Sequence, residues 1–437
     1  MLLIIRMIVN IIGCGPTGMT IAWYLSKEHT VHVYDKKPGP GGSWWEPDNG
    51  ERNLHSTRSV FKGGFVNTNS LFKEMGLRWS DYFGHLENED NYILKLLKHL
   101  KPLDYWELLA LSTKVLTDPL KYKQKTLKDS IGKLSPKGER IVSSLCYVMD
   151  GVSWDKMTAH EFVKTWDWVG LSSKETQLVS GAKMNRDMER ALLGRGVQFH
   201  YNTEVVGVRY GQIDHEVLFA EGEDTVSGHL LVLAVDHGQA KWLMGDNWGN
   251  APCVVRDAQY QSITLILEYP NPVSEFDILT NTPWHIVASN LPDGKSLCVV
   301  LVDLETASPS GRRAKDCSPE EILEEIYLQT GITTSNARVC WGSEWDGGRW
   351  IHHQTSGVLP VEGGVPHWGR CPTVALCGMM SPRNTPFSSI EAAVEVGRRF
   401  AGVVPGRPLL ITDLLIGMLL LLIIRHLINK NVLHIHS

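Results

Sequence analysis

The chain has 437 residues, 43% hydrophobic and 21% charged, with a formal net charge of -5. That length accommodates two or three domains, since single cores stop growing near roughly 250–300 residues, and the composition is that of a chain able to bury a core. The mild acidity, with no run of interleaved Arg and aromatic residues, excludes a nucleic-acid surface, and eight scattered cysteines without a C-x-x-C pair indicate neither a zinc site nor a disulfide framework, so reduced thiols are expected.

Met1–Arg6 is apolar but too short for a secretion signal. Ile8–Ile12 predicts a buried strand, Met19–Lys27 a helix, and Gly13-Cys14-Gly15-Pro16-Thr17-Gly18 the loop between them. Val31–Asp35 alternates with period two and predicts the second strand of a β-loop-α-β unit. In such a loop the first glycine permits the tight turn, the second lets the backbone approach a pyrophosphate, and the third permits close helix–strand packing. The helix N-terminus then offers free N–H groups to the phosphates. Asp35 lies 17 residues beyond Gly18, where a carboxylate accepts from ribose hydroxyls and repels a ribose phosphate, which disfavours NADP.

Residues 84–180 change character. Leu94–Leu100, Trp106–Leu116 and Gly138–Val148 carry helical spacing, and Thr158 with Glu161 resembles a capping box opening Phe162–Val169. The sheet pattern returns at Val197–Val208 and at Leu230–Ala234, the latter apolar enough to be buried on both faces. Residues 251–310 alternate as strands of another sheet, and Ser318-Pro319-Glu320-Glu321 starts a helix that Gly331 ends. A Trp-, Gly- and His-rich stretch at 341–369, a strand at Val374–Cys377 and a helix at Ser389–Ala401 complete the pattern.

Asp35 is followed at a spacing of five residues by Gly41-Gly42, within Pro38-Gly39-Pro40-Gly41-Gly42-Ser43-Trp44. This resembles the extended fingerprint of glutathione-reductase-type FAD proteins, in the branch that holds amine oxidases, phytoene desaturases and protoporphyrinogen oxidase. Gly181–Leu193, Gly196-Val197 and Asn202–Val208 are similar to that family's segment whose valine backbone contacts adenine, with Val205 as the counterpart, and Leu231–Ala234 resembles the strand that follows it. Leu376–Met380 and Thr385–Val394 resemble the terminal motif, in which a helix N-terminus points at the flavin pyrimidine. The resemblance implies non-covalent FAD held by Gly13, Gly15, Pro16, Thr17, Gly18, Asp35, Lys36, Gly41, Gly42, Ser43, Trp44, Val205, Gly378, Met379, Ser389 and Ile390. Ser389 and Ile390 would supply donors to the charge that develops near N1 and O2 on reduction. Met379 departs from the pattern, since the family has an acid there that binds the ribityl chain.

The expected fold class is α/β: a doubly wound Rossmann-type FAD-binding domain (1–83, 181–250 and 350–405), an inserted α+β substrate domain (84–180 and 251–349), and a C-terminal hydrophobic helix within 406–437. No catalytic residue is identified. Candidates are Trp44, Trp45, His55 and Arg58 after the glycine pair, and Trp341, Trp345, Trp350, His352 and His353 from the later stretch. Fifteen tryptophans admit an aromatic cage around an amine, against the weightier reading that most are packing. The adjacent His352 and His353 cannot chelate one metal, so none is expected, and no lysine near flavin N5 is identified.

The resemblance implies an FAD-dependent oxidoreductase moving hydride to flavin from an amine or an apolar, isoprenoid- or porphyrinogen-like substrate. The alternatives are a flavin-dependent isomerase or mutase without net redox, and a non-catalytic carrier such as the Rab GDP-dissociation inhibitors, which share the fold without using a flavin. Substrate and electron acceptor are left open. Leu409–Ile428 offers 20 mostly apolar residues, the length that crosses a hydrocarbon core, if Asp413 and Arg425, about 18 Å apart along a helix, reach opposite headgroups. Membrane association through this segment is expected, similar to the C-terminal anchor of monoamine oxidases, with the catalytic domain facing the cytosol.

Overall fold

The computed structural model of the protein describes residues 6–47, 51–53, 59–85, 98–150, 152–172, 175–220, 225–244, 261–268, 282–291, 293, 295–334, 336–352, 365–414 and 416. In chain order, β1 (Ile8–Ile12), α1 (Pro16–Leu25) and β2 (Thr30–Tyr34) form the predicted opening unit, followed by β3 (Ser59–Phe61), α2 (Val66–Glu74) and β4 (Phe83–His85). A helical stretch comes next: α3 (Pro102–Thr117), α4 (Pro119–Lys123), α5 (Leu127–Ser130), α6 (Pro136–Asp150) and α7 (Ala159–Val169). Then come β5 (Glu175–Leu178), α8 (Gly181–Leu193), β6 (Gln198–His200), β7 (Val205–Tyr210), β8 (His215–Phe219), β9 (Thr225–Gly228), β10 (Leu230–Leu233) and α9 (His237–Met244). The chain continues through β11 (Ile263–Glu268), β12 (Val287–Asn290), β13 (Ser296–Leu301), α10 (Pro319–Thr330), β14 (Ala337–Val339), β15 (Ser343–Trp345), β16 (Trp350–His352), β17 (Val374–Leu376) and α11 (Ile390–Phe400).

The first core belongs to a five-stranded sheet in the order β17-β10-β1-β2-β6, with every pairing parallel. Parallel strands carry all their carboxyl ends on one edge, so the loops after β1, β2, β10 and β17 meet there and open a crevice. β10 is buried along its whole length, as its unbroken apolar run predicts. α1 and α11 pack against each other beside the sheet, closely enough that a Cβ on Gly397 would stand 2.7 Å from Cβ of Thr20.

A second core lies under α3–α7, and a third between the antiparallel sheet β12-β13-β11-β14 and α10. The two predicted capping boxes are present. Thr158 and Glu161 open α7, Ser318 and Glu321 open α10, and Gly331 ends α10 in the left-handed conformation at φ 76°. The structure departs from expectation where Val197–Val208 reads as one sheet segment: β6 joins the parallel sheet and β7 starts a separate antiparallel sheet with β8 and β9, the chain turning at Asn202 with φ 53°. α3 also begins at Pro102, earlier than Trp106, because proline at the first helical position lacks only an amide that has no partner there anyway. Among the described residues no helix is long and apolar enough to cross a membrane; residues 417–437, most of the expected anchor, lie outside them.

Candidate functional site

The loop after β1 separates glycines that the fold requires from one that it does not. Gly13 has φ 103°, and a Cβ on it would stand 2.5 Å from the Ala234 carbonyl oxygen at the end of β10. A Cβ on Gly18 would collide with the Gly13 carbonyl, the close helix–strand contact expected of the third glycine. Gly15 differs. Its φ of -79° suits any residue, and a Cβ there would meet nothing nearer than Cα of Gly42 at 3.7 Å, an ordinary contact. Its bare Cα faces a cavity of about 580 Å³ at the carboxyl ends of the sheet.

Two helices start at this cavity. α1 has Pro16 at its first position and Gly15 as N-cap, so no side chain caps it and the positive end of the helix faces the cavity. α11 starts at Ser389, whose hydroxyl accepts from the Ala392 amide at 3.2 Å, and Ser388, Ser389 and Ala393 line the cavity. The Thr17 hydroxyl donates to the Ala393 carbonyl at 3.1 Å and joins the two helices. Glu391, fully buried, accepts from the amide and side chain of both Asn67 and Thr68 at 2.8–2.9 Å, which fixes the first turn of α11 onto α2.

At the end of β2 the Asp35 carboxylate accepts from the amides of Cys14 at 2.7 Å and Lys37 at 2.9 Å, so both oxygens are oriented by backbone. The turn at Gly41 and Gly42 uses φ of 126° and 58°. It is held by the Gly41 amide donating to the Cys14 carbonyl at 2.8 Å, and the Lys37 ammonium donates to the Gly42 carbonyl at 2.6 Å. The Lys37 amine lies 4.5 Å from the centre of the Trp341 ring, which meets Trp45 edge-on at 5.1 Å. Burial pushes the pKa of Lys37 down to about 8, against the opposing pull of Asp35.

Of the residues singled out in the sequence, Gly13, Gly15, Pro16, Thr17, Asp35, Lys36, Gly42, Ser43, Trp44, Val205, Gly378, Met379 and Ser389 line this one cavity. Gly18 packs against Gly13, Gly41 packs against Asn185, and Ile390 buries its side chain in the main core, so none of these three lines it. His352 reaches the cavity from β16. Its Nδ1 is 2.9 Å from the Ser343 hydroxyl, which also lies 3.0 Å from the Ser262 carbonyl. A carbonyl only accepts, so the hydroxyl proton goes to Ser262 and His352 donates from Nδ1. Trp350 is turned into the antiparallel sheet's core, with its indole N–H donating to the Cys317 carbonyl at 2.9 Å. One face of Trp341 is taken by the Lys37 ammonium. His55, Arg58 and His353 lie outside the described residues. Lys37 lines the cavity without having been singled out in the sequence; its one sequence signal is its place two residues after Asp35. Among the described residues no cluster of His, Cys, Asp or Glu suits a metal ion.

The comparisons agree with this geometry. Residues 11–74 match the family model of an NAD(P)-binding Rossmann-like domain. Among solved structures, putrescine oxidase bound to putrescine is 16% identical, with 91% of this chain and 98% of that one covered at a TM-score of 0.57. Cyclohexylamine oxidase from Brevibacterium oxydans IH-35A is 14% identical, with 91% and 98% covered at a TM-score of 0.60. A protein assigned as a protoporphyrinogen oxidase from Exiguobacterium sp. 255-15 is 14% identical, with 90% and 98% covered at a TM-score of 0.56. No curated protein sequence matches the chain. At these identities the likeness is one of fold: the chain has the α/β architecture of these oxidases, with a dinucleotide-binding Rossmann-like domain at its N-terminus.

Proposed function

We propose that the chain is an FAD-dependent oxidoreductase that removes hydride from an amine or an apolar substrate. Gly15 carries the reading. Nothing in the protein requires glycine there, yet a side chain would enter the cavity between the N-terminus of α1 and the Gly41-Gly42 turn, where a pyrophosphate would lie. The other residues fit the rest of the molecule. Asp35 would hold the ribose, Val205 the adenine, Gly378 and Met379 the ribityl chain, and the first turn of α11 the flavin pyrimidine. When bound, the flavin supplies the two-electron acceptor.

The chain's own part is to bind and orient substrate. His352 lines the cavity with its ring held through Ser343 and Ser262. The amines named for the fold's other members, putrescine and cyclohexylamine, support this substrate class. The test is the visible spectrum of the purified protein with mass spectrometry of what denaturation releases, followed by anaerobic addition of amines. A colourless protein releasing no FAD overturns the reading.

We also propose that residues 409–428 attach the chain to a membrane, with the flavin domain on the cytosolic side. The supporting observation is how the segment begins. A helical turn opens at Ile411, with Asp413 accepting from the Leu410 amide at 3.2 Å and paired to Arg407 at 3.1 Å, so its charge is held at the start of the apolar run. Full-length protein recovered wholly in the detergent-free soluble fraction overturns this.

A further inference from the structure

We propose that α3 lies on a membrane surface, its outer face in contact with lipid acyl chains and the lysines around it with anionic headgroups. α3 buries Asp104, Leu111 and Val115. Positions 103, 106, 109, 113 and 116 share the opposite face at helical spacing. There Leu103 is 53% exposed, Trp106 69%, Leu109 54% and Leu116 45%, with Thr113 among them, and Leu120 on the following α4 is 71% exposed. A single exposed leucine needs no explanation, but a contiguous apolar row on one helix face marks an interaction surface.

The surrounding charge says what the surface meets. Residues 98–128 hold seven lysines (98, 101, 114, 121, 123, 125 and 128) against three acidic residues, in a chain whose net charge is -5. One acidic residue of the three, Asp104, is buried, accepting from the Lys101 and Ser135 amides. Leucine and tryptophan on one face with lysines beside them is the composition of a helix that lies in a bilayer interface, where lysine stems extend along the apolar surface and place their charge among headgroups. The chain's own C-terminal residues 417–437 are a poorer occupant, because they carry Arg425 and Lys430 and no acid, the same sign as the lysines. A second copy of α3 meets the same repulsion.

The segment expected in the membrane begins against the helix that carries α3 and α4. α3 and α4 pack on α7. At the far end of α7 the Thr412 amide and hydroxyl both bind the Asp167 carboxylate at 2.9 Å, and Ile411 packs on Gly170. α7 thus carries α4 and, at its far end, the start of the C-terminal segment, in which Leu409, Leu414 and Ile416 are exposed.

The inference stands apart from the flavin reading, and one experiment separates it from the anchor. Full-length protein is reconstituted into phosphatidylcholine vesicles with or without phosphatidylserine, with bromine in the acyl chains, and its tryptophan emission is measured after sedimentation. The expected result is a bromine-quenched component that Trp106→Phe removes, that phosphatidylserine enlarges, and that Lys121→Glu/Lys123→Glu/Lys125→Glu diminishes. Trp106, Lys121 and Lys125 are exposed and Lys123 is half-buried, on α3 or on and next to α4, and substitutions of this kind leave a fold intact. Protein that sediments with vesicles while Trp106 stays unquenched keeps the anchor and overturns the α3 contact. If the unquenched Trp106 is also shielded from aqueous acrylamide, the tail or a second copy covers it instead. Protein that does not sediment overturns both proposals.

Discussion

A methyl group on Gly42 would stand 2.8 Å from Cα of Gly15, whereas a methyl group on Gly15 would meet only Cα of Gly42, at 3.7 Å. The two glycines touch in the lining of the cavity, Gly42 held as glycine by its backbone conformation and its neighbour, Gly15 by neither. Gly15→Ala is therefore expected to change the stability of flavin-free protein by less than about 1 kcal/mol and to lose bound FAD. Gly42→Ala, with φ 58°, is expected to lose both stability and FAD. Flavin absorbance per chain and thermal unfolding check the pair; a Gly15→Ala protein with full FAD occupancy contradicts the assignment of the loop.

Lys37 gives a pH signature. Its folded pKa of about 8 lies below the ordinary 10.5, so between those values the unfolded chain binds more protons and stability rises with pH. Flavin-free protein is expected to gain on the order of 1 kcal/mol across that window, after discounting for partial exposure, and Lys37→Met to lack the rise. Denaturant titrations at pH 8 and above check it, and parallel curves for the two proteins would refute it.

Glu391 meets four donors from Asn67 and Thr68. Glu391→Gln turns one oxygen into a donor facing two of them, at an expected cost of roughly 2–4 kcal/mol. Because the substitution loosens the first turn of α11, flavin binding should weaken as well. A variant as stable as the parent protein, by chemical denaturation, would show that this contact does not hold the helix.

Met379 lines the cavity at the position where the resembled family has an acid for the ribityl hydroxyls. Met379→Glu is expected to tighten FAD binding by roughly three- to tenfold, the worth of one added hydrogen bond. Fluorescence titration of flavin-free protein measures it, and weaker binding would place the ribityl chain elsewhere.

The local features were legible because they are rules of neighbouring residues. The Gly13–Gly18 loop between strand and helix, the acid ending β2, and the two capping boxes each rest on backbone geometry within a few positions. The sites of Trp350 and His352 were not legible. Both lie on β16 in the same Trp- and His-rich stretch, yet one hydrogen-bonds to Cys317 inside a sheet core and the other reaches the cavity.

By itself the sequence determined that a β-loop-α-β unit opens the chain, that Gly13 to Gly18 form its loop, and that a helix near residue 390 closes the domain, since each follows from short-range sterics and hydrogen bonding. Only the tertiary structure decided that the N-termini of α1 and α11 open on one cavity, joined by Thr17 and Ala393, which are 376 residues apart. The same packing brought Lys37 under Trp341 and turned His352 toward the cavity. Such contacts arise where separate sheets and helices meet, and no periodicity or local propensity along the chain encodes which distant faces will do so.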